Sequence, residues 1–63
     1  MTRHRRLWHQ RVQSGLYVYQ VARALGVPCR VVHEAEETGR LSGEWDIERF
    51  WRDYDDRTRG AAR

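Results

Sequence analysis

Three glycines divide this chain into pieces that are too short for anything but small helices. Gly15, Gly26 and Gly39 each follow a stretch whose apolar residues recur with a helical period. Between the first two, Val18, Val21, Ala22 and Leu25 fall at i, i+3, i+4 and i+7, one continuous helix face. After the third, Ile47, Phe50, Trp51 and Tyr54 repeat that spacing. A glycine just past an apolar period is the usual way a helix ends, because it enters the left-handed region without strain. The pattern predicts four helices: Thr2 to Ser14, Val18 to Leu25, Pro28 to Thr38, and Asp46 to about Arg57. Thr2 and Asp46 are suitable N-caps, and Pro28 suits a first turn, where its missing N–H costs nothing. Trp45, just before Asp46, can pack on Phe50 as a hydrophobic staple.

This punctuation acts on a chain of 63 residues, which allows a single domain at most. Such a core rarely supplies more than about 3–5 kcal/mol. A nucleotide-binding sheet or a large barrel is excluded. The expected domain covers residues 1–57, and the small, polar 58–63 segment reads as a disordered basic tail. The expected core is Val18, Val21, Ala22, Leu25, Val27, Val32, Ala35, Ile47, Phe50, Trp51 and Tyr54. Tyr17 and Tyr19 cannot both be buried if they lie along one helix edge. The single Cys excludes a disulfide framework and fits a reducing compartment. No run approaches about 20 apolar residues, and no apolar segment of a secretory leader follows the basic start. The expected location is cytoplasmic, in a bacterial cell or a phage-infected host, with no membrane partner.

Charge is distributed unevenly. The chain has 12 basic residues, all Arg, against 9 acids, for a net charge of +3. Arg3, Arg5, Arg6 and Arg11 open the chain with no acid among them. Glu34, Glu36 and Glu37 cluster in the third segment, and further acids run from Glu44 to Asp56. A basic end of this kind suits a polyanion.

The second and third segments flank Gly26-Val27-Pro28. Two short helices about a Gly-containing turn are the layout in which one helix braces another for insertion into a DNA major groove. The stretch from Leu16 to Leu41 resembles the helix-turn-helix of MerR-like and excisionase-like proteins. Leu16, Ala22, Leu25, Gly26, Val27, Val32, Thr38, Gly39 and Leu41 match that pattern in register, over 26 of the 63 residues. The resemblance implies a mainly α fold: a helix-turn-helix with a leading and a closing helix and a minimal or absent wing. It departs from the family in three places. Tyr17 stands where a Thr or Ser usually caps the first helix of the unit, leaving Gln20 as half of a capping box. The recognition helix carries three Glu. The Arg40–Trp45 segment is short for a wing.

The functional expectation is a small non-enzymatic protein that binds double-stranded DNA. It would be a transcriptional regulator or an excisionase type, encoded by a phage or mobile element. Recognition helices meet base edges with their N-terminal half, where Cys29, Arg30 and His33 fall. Arg30 would read guanine, and Arg3, Arg5, Arg6 and Arg11 would contact phosphates. A homodimer or cooperative array is expected, because one small module binds weakly. The alternative is a protein-binding module of the same fold. It would present Glu34, Glu36 and Glu37 to a host protein as an inhibitor or adaptor. A third possibility is a component of a virus particle. Cys29 and His33 lie one helical turn apart, yet two ligands do not make a zinc site and no C-x-x-C accompanies them. No metal and no cofactor are expected.

Overall fold

A computed structural model describes residues 2–61, with side chains through residue 59. Four helices follow one another: α1 (Arg3–Gln13), α2 (Val18–Leu25), α3 (Cys29–Thr38) and α4 (Ile47–Ala61). No strand occurs among the described residues. The fold is mainly α, as the periodicity indicates.

Several boundaries have a local cause. Asp46 caps α4, its Oδ1 accepting from the amides of Glu48 at 3.1 Å and Arg49 at 3.2 Å. Gly26 ends α2 with φ +71°, a conformation in which a side chain would be strained. Thr2 occupies the N-cap position of α1, but its hydroxyl makes no capping bond. Pro28 lies one residue outside α3, as its extended N-cap with ψ 151°, rather than in the first turn. Its fixed φ still presets the entry to the helix. At α2 the expected half of a capping box is formed: Gln20 Oε1 accepts from the Tyr17 amide at 2.8 Å.

The helices pack in a ring. α2 lies against α3 and α4, and α1 lies against the same two. The centre holds Leu7, Val21, Ala22, Val31, Val32, Ala35, Phe50, Trp51 and Tyr54. Phe50, Trp51 and Tyr54 meet edge-on or tilted, with centroids 5.1 to 5.8 Å apart. Leu7 and Val31 join the core expected from the sequence. Val18, Leu25, Val27 and Ile47 are only half-buried at its margin.

α4 runs further than expected. Thr58 is fully buried, so the fold does not end at Arg57. The Thr58 hydroxyl donates to the Tyr54 carbonyl at 2.9 Å and accepts from Gln10 Nε2 at 2.8 Å. Ser14 Oγ donates to the Thr58 carbonyl at 2.5 Å. These bonds tie α1 to the last turns of α4. Of the expected disordered tail, residues 62 and 63 lie outside the described residues.

Candidate functional site

Local sequence determines which side of α3 is available. Val31, Val32, Ala35 and Glu36 turn inward, and Cys29, Arg30, His33 and Glu37 are exposed on the opposite side. The first turn of α3 carries no acid and has no side-chain cap. Its first amides therefore have no side-chain acceptor, and the positive end of the helix dipole lies beside Arg30. Cys29 is a free, exposed thiol. Among the described residues, no third His, Cys, Asp or Glu gathers with Cys29 and His33.

α1 borders this surface. Arg5 and Trp8 of α1 line one shallow crevice with His33 and Glu37 of α3. The Arg5 guanidinium stands 5.8 Å from the centroid of the Trp8 ring, a cation–π contact that holds its orientation. Arg6 is exposed on the same helix. Arg3 is also exposed and donates to both Glu48 oxygens at 3.2 Å. That pair is open to water and contributes little, so a phosphate can compete for the guanidinium.

Arg11, expected among the phosphate contacts, lies with Glu36 at the base of this crevice and is turned into the interior. It is 9% exposed. Arg11 Nε donates to Glu36 Oε2 at 2.6 Å, Nη2 to Glu36 Oε1 at 3.1 Å, and Nη1 to the Leu16 carbonyl at 2.7 Å. Tyr54 Oη donates to Glu36 Oε2 at 2.6 Å. One carboxylate thus joins α1, α3 and α4, and every buried side-chain nitrogen and oxygen of the described residues has a hydrogen-bond partner. Burial pushes the Tyr54 phenol far above its usual range, and the bond to Glu36 and its charge add to this. Burial acts to lower the Arg11 pKa, but the hydrogen bond to Glu36 and its charge raise it on balance.

The same geometry dismantles the acidic patch expected for a protein partner. Glu36 is buried at 8% exposure, inside the network. Glu34 is half-buried and pins the following loop, accepting from the Ser42 amide at 2.6 Å. Only Glu37 of the three is exposed. In place of a wing, residues 40–46 form an irregular connection held to α3 by Glu34 and by Thr38, whose hydroxyl accepts from the Arg40 amide at 3.1 Å.

Patterning concealed three internal polar groups. Arg11 follows Leu7 by four residues, Glu36 follows Val32 by four, and Thr58 follows Tyr54 by four. Each continues an apolar stripe by one turn. Opposite charges at two such stripe positions were the available signal of a buried pair. No protein-family model matches the chain, and neither a curated protein nor a solved structure shows significant similarity to it.

Proposed function

We propose that this chain is a small non-enzymatic DNA-binding protein of the MerR-like or excisionase-like kind. The N-terminal half of α3 would enter the major groove, and Arg3, Arg5 and Arg6 would contact flanking phosphates. The observation that carries the reading is the continuity of the two surfaces. Arg5 of α1 and His33 of α3 line one crevice, so the exposed residues of α3 adjoin the basic face of α1. A three-residue connection joins α2 to α3, and the two helices pack on each other. Phosphate contacts give affinity and register, and Arg30, with His33 beside it, would supply base readout. Glu37 opposes this and would lie at the groove edge. A single module of this size needs a second copy or an array for tight binding. The cell compartment would be the cytoplasm of a bacterium or of a phage-infected host.

The test is a salt series of duplex binding. Removing Arg5 or Arg6 should weaken all sequences alike and lower the log–log salt slope by about one. Arg30→Ala should cost about 1–3 kcal/mol on a specific site and relax preference there. Glu37→Lys should strengthen binding. A parent protein that does not bind duplex DNA even at low salt would end the proposal.

A further inference from the structure

A second surface, unrelated to the α1–α3 face, runs along the seam of α2 and α4. Leu25, Val27 and Phe50 form its floor, and Trp45, 38% exposed, forms one wall. The hollow at the Trp45 end has a volume of about 280 Å³, room for one or two large side chains. It continues past Leu25 and Asp53 toward Asp56 and Arg57, which line the adjoining hollow. From Asp46 to Arg57 a helix rising ~1.5 Å per residue covers about 16 Å. An extended peptide of about five residues, at roughly 3.3 Å each, has that length.

The rim selects the charge of the occupant. Glu44, Asp46 and Asp53 border the hollow against one lining cation, Arg49; Asp53 lies 4.0 Å from Arg49 and 4.0 Å from Arg52, which is outside the lining. Asp56 adds a carboxylate further along, opposed by Arg57. Glu44 and Asp56 have neither a hydrogen bond nor an ion pair among the described residues. The groove is therefore net negative with an exposed indole at its end. That combination repels a polyanion and favours an aliphatic chain carrying Arg or Lys, whose cation can lie over Trp45.

We infer that the α2–α4 groove docks an extended basic-aliphatic peptide segment of a protein partner, through Trp45 and the Glu44–Asp56 rim. The site shares no lining residue with the α1–α3 crevice, so a DNA-bound chain could hold such a segment at the same time.

The experiment titrates isotope-labelled protein with the blocked peptide Leu-Arg-Ile-Arg-Leu, followed by amide and indole NMR shifts. The two control peptides replace Arg by Glu, or the aliphatic residues by Ser. The first peptide should shift the Trp45 indole and the amides of Leu25, Val27, Asp53 and Asp56. Both controls should bind at least about tenfold more weakly. Trp45→Ala should abolish the response. Glu44→Lys with Asp56→Lys should reduce it about tenfold at low salt and less at high salt, and these exposed positions leave the core untouched. No shift at millimolar peptide, or an equal response to the Glu peptide, overturns the inference. Groove shifts that grow with protein concentration alone would assign the surface to a second copy, and shifts on adding duplex DNA would assign it to DNA. Either result also overturns it.

Discussion

Replacing Arg11 by Ala separates a structural arginine from a DNA-contacting one. The side chain makes two bonds to Glu36 and one to the Leu16 carbonyl. Its loss leaves the Glu36 carboxylate buried, with the Tyr54 hydroxyl as its remaining donor. Breaking a buried pair on one side costs about 3–5 kcal/mol, because the surviving charge is uncompensated. A core of this size supplies about the same amount in total. The variant should therefore lose most of its helical circular dichroism at room temperature. If residual structure survives, its Tm should fall by more than about 12 °C, at about 4–8 °C per kcal/mol. Replacing the whole network at once should recover the fold: Arg11→Met, Glu36→Leu and Tyr54→Phe leave no orphaned charge or hydroxyl. An Arg11→Ala protein melting within about 4 °C of the parent, under about 1 kcal/mol, would refute the reasoning. Arg11 would then be an ordinary surface residue.

Other outcomes follow from the same geometry. The Tyr54 phenol titrates above its unfolded value of 10.0. The unfolded chain therefore releases this proton first, and stability should fall as pH rises past the unfolded value. The slope should approach about 1.4 kcal/mol per pH unit. In Tyr54→Phe this contribution should vanish from a urea series run between neutral and alkaline pH. Gly39→Ala should cost more than about 1 kcal/mol in thermal melts. Its φ is +76°, and a Cβ would come 2.6 Å from His4 Nδ1. His4→Ala in the same chain should relieve only the steric part. Thr58→Val should cost about 0.5–1.5 kcal/mol by chemical denaturation, through loss of the Gln10 bond, because Gln10 Nε2 keeps its bond to Asp55 Oδ1. Cys29 should react freely with iodoacetamide without loss of helix signal, and duplex DNA should slow that reaction if α3 enters the groove. An unchanged rate with saturating DNA would place the thiol away from the contact.

The sequence stated much of this architecture in its punctuation. Gly26, Asp46 and the i, i+3, i+4, i+7 stripes of α2 and α4 act within a few residues of one another, so local physics suffices to read them. Arg11, Glu36 and Thr58 are buried although a polar side chain by itself points to exposure. Their burial depends on partners from other helices, and composition carries no record of which helices meet. Val12 is the converse case. It extends the apolar composition of α1 yet is 51% exposed, because the ring packing turns α1 toward Leu7 and Arg11. The candidate face on α3 was legible for the same reason as the stripes: Val31, Val32 and Ala35 inside leave Cys29, Arg30 and His33 outside. The adjacency of Arg5 to His33 was not, since it depends on how α1 crosses α3. Glu34 belongs with the concealed residues, because its partner Ser42 lies in an irregular connection without periodicity.

The most direct test of the proposed function is a residue map of duplex binding. Amide shifts of the labelled protein would be followed as random-sequence duplex DNA is added at low and then moderate salt. The account predicts changes concentrated at Cys29, Arg30 and His33 of α3 and at Arg5 and Arg6 of α1, fading together as salt rises, with Arg11 and the α2–α4 groove unaffected. The absence of any change at low salt, or changes centred on Trp45 and the acidic rim, would contradict it.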